Sequence, residues 1–160
     1  MARRATRGEN GFSLAELVVL MAVIGILTAF SVLMMLTYWR TSTLTAGARE
    51  VAAALNSARE LAIRENKNVC VTTDGTRLQY RLPAVLLADA CLNPTTWKGP
   101  ITDGGGNIRL DNRVTVSATA NVTFNYLGAA IQAGTYTVLS PSGAGTMSVT
   151  VLQNGRVRIL

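Results

Sequence analysis

The sequence predicts an α+β fold, in which a long N-terminal hydrophobic helix precedes an antiparallel, β-sandwich-like globular domain. From Leu17 to Leu36 no residue is charged and none is proline. From Leu44 onward, small and apolar residues recur at alternating spacings of four and three. Beyond Asn68 the period drops to two, in β-branched and aromatic runs separated by turn residues.

The apolar run is the first element. At about 1.5 Å of rise per residue, a helix of this length matches the ~30 Å hydrocarbon core of a bilayer. Just before it stands one carboxylate, Glu16, behind a short basic leader holding Arg3, Arg4 and Arg7. A carboxylate at the edge of an apolar segment is expensive, so Glu16 is a functional candidate that demands a partner. A plain signal anchor, with Glu16 at the headgroups, is the bland alternative. The leader arginines place the N-terminus in the cytoplasm and the bulk of the chain outside. Tyr38, Trp39 and Arg40 close the span as an interfacial belt does. A secretory signal cut at Ala46-Gly47-Ala48 fits poorly, because such a signal has an apolar region of only ~7–15 residues, close to its cleavage site.

The helix continues past the belt. Leu44, Ala48, Val51, Leu55, Ala58 and Ala62 gather on one narrow face. Arg49, Glu50, Arg59, Glu60, Arg64 and Glu65 lie largely off it, with Glu60 and Arg64 spaced for an i,i+4 pair. Glu65-Asn66-Lys67-Asn68 reads as a turn, so the helix runs from Phe12 to Glu65. Its stripe is too short and alanine-rich for a coiled coil and is expected to pack on the following domain.

The β-rich part is built from short runs. Val69–Thr73, Arg77–Leu82, Val114–Val116, Val122–Tyr126, Tyr136–Leu139, Met147–Leu152 and Arg156–Leu160 are β-branched or aromatic. Asp74-Gly75, the 103–107 segment, Asp111-Asn112, Pro141-Ser142-Gly143 and Asn154-Gly155 separate them. Gln153-Asn154-Gly155-Arg156 is a tight-hairpin signal joining the last two strands. Seven or eight short strands without intervening helical pattern argue for antiparallel sheets packed as a sandwich or curled half-barrel.

The N-terminal motif resembles the signal of the type IV pilin and type II secretion pseudopilin superfamily. Gly11, Phe12 and Glu16 match its glycine, its methylatable first mature residue and its glutamate at the fifth mature position. The resemblance implies cleavage between Gly11 and Phe12 by a prepilin peptidase, methylation of the new amine, and pairing of Glu16 with a neighbouring subunit's N-terminal amine. A carboxylate in an apolar filament core is tolerable when an ammonium neutralises it. Many members carry proline near mature position 22, where this chain has Leu33, so Gly25 is the weak point left in the helix.

Two further stretches are similar to the GspH/FimT branch. Ala58–Asn66 followed by Val69-Cys70-Val71 resembles its helix-to-strand junction, and Asn154–Ile159 resembles the Gly-Arg-x-Arg motif of FimT-like minor pilins. Residues 84–112 match no family pattern. The branch implies two functions. FimT-like minor pilins join type IV pili and serve DNA uptake in natural transformation, their motif arginines contacting DNA. GspH-like pseudopilins sit in the short pseudopilus of type II secretion.

The terminal motif suits phosphate contact on physical grounds. In a strand, Arg156 and Arg158 point to one face about 6–7 Å apart, near the spacing of successive phosphates on one strand of DNA. Gly155 permits close approach of a backbone. The competing reading is that alternating arginines solubilise an edge strand. Arg109 and Arg113 are candidates to extend the patch. No aromatic residue interleaves with the terminal arginines, which argues against stacking on single strands.

Composition bounds the remaining choices. The 160 residues carry 15 Lys and Arg against 9 Asp and Glu, for +6, and no histidine. Loss of residues 1–11 removes three arginines and Glu9, leaving +4. A mildly basic surface favours polyanions or anionic lipid. Without histidine the commonest general base and metal ligand is gone. No Ser-x-x-Lys motif or P-loop appears, so the chain reads as a structural and binding subunit without cofactor, not an enzyme, and filament assembly draws on a separate ATPase. Cys70 and Cys91 lie in the exported part. An even count in an oxidising compartment favours a disulfide closing a loop of about 20 residues, worth roughly 3 kcal/mol. Two buried free thiols are the alternative, and two cysteines without histidine make half a zinc site at best. Asp103, Asp111 and the glycines between them do not match an EF-hand and read as a turn.

The expected organisation is a cleaved leader over residues 1–11, a transmembrane or filament-core half-helix over 12–39, an amphipathic half-helix over 40–66 and a β-rich periplasmic domain over 67–160. The expected setting is a single pass through a bacterial inner membrane, with the N-terminus cytoplasmic, then a pilus or pseudopilus after assembly. Expected partners are prepilin peptidase, other major and minor pilins or pseudopilins, the inner membrane and double-stranded DNA. A membrane-anchored periplasmic adaptor outside any filament is a third class.

Overall fold

The structure, a computed structural model, describes residues 13–83, 91, 94–143 and 145–160, apart from the Leu33 side chain. It divides into two units, residues 1–38 and 39–160. Helix α1 covers Leu14–Glu65. At its start the Ser13 carbonyl accepts the N–H groups of Glu16 (3.0 Å) and Leu17 (3.2 Å). Glu16 sits in the first turn, where a carboxylate is favoured by the helix dipole. Through Tyr38 the described side chains are exposed on every face, and the helix is long and apolar enough to cross a membrane. Gly25 lies inside unbroken helix, and the Thr28 hydroxyl donates to the Ile24 and Gly25 carbonyls.

The second unit contains the core. All six residues of the predicted stripe, Leu44, Ala48, Val51, Leu55, Ala58 and Ala62, are buried. Small residues let backbones approach: a β-carbon on Gly47 would lie 2.6 Å from Val114 Cγ1. The helix stops where Asn66 turns left-handed (φ 52°), and the Lys67 N–H closes back on the Ala62 carbonyl at 3.2 Å.

Ten strands follow among the described residues, all paired antiparallel. The first sheet joins β1 (Val69–Thr73), β2 (Arg77–Pro83), β3 (Pro94–Thr96), β6 (Val122–Phe124) and β7 (Ala130–Gln132) in the order β3-β2-β1-β6-β7, with β4 (Asn107–Arg109) also on β2. The second joins β5 (Thr115–Ala118), β8 (Gly134–Leu139), β9 (Thr146–Val151) and β10 (Val157–Ile159) in the order β10-β9-β8-β5. The sheets meet through hydrogen bonds from Val116 N–H to the Gly75 carbonyl (2.6 Å) and from Ala130 N–H to the Gln153 carbonyl (3.0 Å). Between them the buried Tyr136 hydroxyl donates to the Val71 carbonyl at 3.0 Å and accepts from the Val122 N–H at 3.4 Å. Tyr80 reaches the helix, donating to the Ala54 carbonyl at 2.6 Å. Burial pushes the Tyr136 hydroxyl up to about 12 and the Tyr80 hydroxyl higher still.

Three strands, β3, β4 and β7, were not expected. Each spans three residues, too short for a period to emerge. The predicted strand through Tyr126 ends instead at Phe124, because the Asn125 side chain accepts the N–H groups of Leu127 and Ala129 and turns the chain. One expectation about the helix surface also changes, and a residue off the stripe gains a structural role. Arg64 pairs with Glu65 at 3.8 Å rather than with Glu60. The Glu50 carboxylate accepts Asp111 N–H at 2.9 Å and Asn112 Nδ2 at 3.3 Å, tying the helix to the turn before β5.

Candidate functional site

The site begins as a hairpin. Asn154-Gly155 turns the chain between β9 and β10: Gly155 N–H donates to the Leu152 carbonyl (2.8 Å) and Leu152 N–H to the Arg156 carbonyl (2.9 Å). The Asn154 side chain accepts Arg156 N–H at 3.1 Å, and Gly155 takes a φ of +77° that side-chain-bearing residues rarely adopt. Gly155 is buried, and a β-carbon there would collide with the Gly128 carbonyl oxygen. The close approach expected of Gly155 is therefore made to another turn of the same chain. Arg59 of the helix reaches the same junction, with its Nε buried and without a hydrogen-bond partner among the described residues.

Arg156 and Arg158 are both exposed, on either side of the half-buried Val157. Strand β10 ends the order of its sheet, so Arg158 stands on an edge strand, while Arg156, expected to begin that strand, directly precedes it at the end of the turn. Neither lies within ion-pair distance of a carboxylate among the described residues. Both premises therefore hold together, namely an unpaired cation pair and an edge that charge protects. The proposed extension by Arg109 and Arg113 does not form. Arg109 lies on β4, paired with β2, at the far side of the first sheet from β7, which adjoins the hairpin. Arg113 precedes β5, at the opposite end of the second sheet's order from β10. Sequence spacing carries no sheet order and does not separate these positions.

Cys70 and Cys91 form a disulfide across a separation of 21 residues, with Cα atoms 5.5 Å apart. The Thr123 hydroxyl approaches the Cys91 sulfur at 3.3 Å. The Asp103 carboxylate is engaged by its own turn, accepting Asn107 N–H (2.8 Å), Asn107 Nδ2 (3.1 Å) and Gly105 N–H (2.9 Å), bonds that hold it below the usual carboxylate value. Gly11 and Phe12 lie outside the described residues.

Comparison with known proteins gives this architecture a family. The model of the GspH family, described as type II transport protein GspH, matches residues 47–155, and the chain belongs to that family. Its fold is similar to the solution structure of GspH from E. coli (TM-score 0.59, 11% identity, 74% of this chain and 88% of that one). It is also similar to the minor pseudopilin EpsH of Vibrio cholerae (TM-score 0.54, 16% identity, 73% and 95%). The type IV minor pilin FimU of Pseudomonas aeruginosa aligns with a TM-score of 0.49 at 16% identity, over 77% and 92%. No curated protein matches by sequence. At these identities the likeness to solved structures is one of fold. The family is one of structural pilins and pseudopilins rather than enzymes, and membership implies association with other such subunits. Among the described residues, one helix of this family member is long and apolar enough to cross a membrane.

Proposed function

We propose that this chain is a minor subunit of a type IV pilus, cut after Gly11 by a prepilin peptidase and methylated on Phe12. Glu16 sets its register in the filament by pairing with a neighbour's N-terminal amine, and the β-domain lies on the periplasmic side of the inner membrane before assembly. The arginine hairpin gives it a second task, contact with the backbone of double-stranded DNA during uptake in natural transformation. The observation that carries this reading is the exposed, carboxylate-free pair of Arg158 on an edge strand and Arg156 directly before it. Gly155 serves by holding the turn that presents them.

A second reading is a GspH-like minor pseudopilin of a type II secretion system with no nucleic-acid ligand. The family description and the fold of E. coli GspH favour it. Duplex DNA binding by the full chain in neutral detergent, across a salt series, separates the two. The DNA reading predicts salt-dependent binding and a loss of about two units of salt slope in Arg156→Ala/Arg158→Ala. Equal, weak binding by both proteins leaves the arginines as edge protection and favours secretion.

A further inference from the structure

The two arginines belong to a larger surface. Strand pairing fixes which side chains share the solvent face of the second sheet. Arg158 stands opposite Thr150, which stands opposite Thr135. In the neighbouring row Ser148 stands opposite Thr137, and Thr137 opposite Ser117. Valines 149, 151, 138 and 116, one residue out of step, are buried in the core, so these hydroxyl rows face outward. The Thr135 and Thr150 hydroxyls lie 3.2 Å apart, forming a continuous polar row that ends at Arg158.

Charge singles this face out. From Asn112 to Leu160 the chain contains no aspartate or glutamate, and its charged residues there are Arg113, Arg156 and Arg158. All four strands of the second sheet fall within that stretch. A polyanion laid on this face meets cations at one edge, hydroxyl donors across the middle, and no aspartate or glutamate from the sheet itself. At about 4.8 Å per strand the rows cross about 14 Å from β10 to β5. At roughly 6–7 Å between successive phosphates of one strand, that distance reaches about three of them. Hydroxyls are ordinary phosphate donors, and such contacts position a duplex without reading its sequence. The face carries no outward aromatic, since Tyr136 points into the core, so it lacks the stacking platform that single strands require.

We propose that the solvent face of the β10-β9-β8-β5 sheet is a phosphate-backbone platform for duplex DNA, entered at Arg158 and independent of base sequence. The inference rests on the DNA reading of Arg156 and Arg158, and extends it from a tip contact to a sheet face.

The test uses the full chain in neutral detergent with a short duplex of random sequence across a salt series. Thr135→Val/Thr150→Val keeps the β-branched shape and removes two hydroxyls. It is expected to weaken binding about fivefold, as lost neutral hydrogen bonds do, with the salt slope unchanged because no counterion contact is removed. Ser148→Glu places a carboxylate mid-platform and is expected to weaken binding roughly tenfold or more through repulsion of phosphate. Thermal unfolding beside each variant identifies any loss of fold, and the valine pair tests the platform if the glutamate variant fails to fold. If the arginine double variant loses binding while both platform variants bind as wild type, the tip contact stands and the platform is overturned. If wild type shows no salt-dependent binding, the DNA reading and the platform fall together. If Ser148→Glu blocks filament incorporation while DNA binding is untouched, the face belongs to a neighbouring subunit and the proposal is wrong.

Discussion

The two halves of α1 share one backbone geometry and meet opposite fates. From Leu17 to Leu36 the helix is uncharged and largely apolar on all sides, and side chains such as Leu27 and Phe30 stay exposed at 62% and 69%. From Leu44 to Ala62 a stripe one or two residues wide is buried completely against the chain's own sheets. A helix that is hydrophobic all round needs an apolar environment from outside itself, whereas an amphipathic one needs a single covered face. The difference teaches that the first half is completed by membrane or by other subunits, and the second by its own domain.

Truncation separates the halves most sharply. Leu55 is fully buried, so Leu55→Ala is expected to lower stability by about 3 kcal/mol, within the range for core leucines. Leu27→Ala should leave unfolding of the β-domain within about 0.5 kcal/mol of wild type. Denaturant unfolding of the full chain in detergent, followed by tryptophan fluorescence, measures both. Equal losses would erase the distinction.

The disulfide gives an effect of similar size confined to the second unit. Replacing Cys70 and Cys91 by serine should cost roughly 3 kcal/mol, by the entropy of a loop of this length. Denaturant midpoints of the oxidised wild type and the double variant measure it. A shift near zero would mean that the loop is already held by other contacts, the Thr123 approach to Cys91 among them.

Smallest is the contribution of the tyrosine between the sheets. Tyr136→Phe removes a buried hydroxyl with two hydrogen-bond partners and should cost about 1 kcal/mol near neutral pH. The folded-state value is raised from 10.0 to about 12. Its stabilising effect is therefore complete below pH 10 and is lost as pH rises towards 12, where the unfolded chain ionises more easily. Alkaline unfolding curves should show a shallower fall for Tyr136→Phe than for wild type. Identical curves would place the alkaline transition elsewhere.

Much of this architecture was legible because it depends on local pattern. The spacing of Leu44 through Ala62 names the buried face, Asn154-Gly155 names the hairpin, and Asn66 ends the helix where the pattern stops. Long-range placement was not legible. Glu50 looks like any surface glutamate until the turn at Asp111 arrives beside it. Arg109 and Arg113 look like neighbours of the terminal arginines until sheet order separates them. Gly155 reads as an opening for a ligand, whereas the Gly128 carbonyl occupies the space. The hydroxyl rows beside Arg158 emerge only from the register of β8, β9 and β10, because no single segment contains them.

The central claim is that the first half of α1 belongs to a processed filament subunit. Its most direct test is intact-mass measurement of the chain recovered from cells that supply a prepilin peptidase. A species beginning at Phe12 and carrying one added methyl group is the predicted result. A chain retaining residues 1–11, or one cut beyond Tyr38, would contradict it.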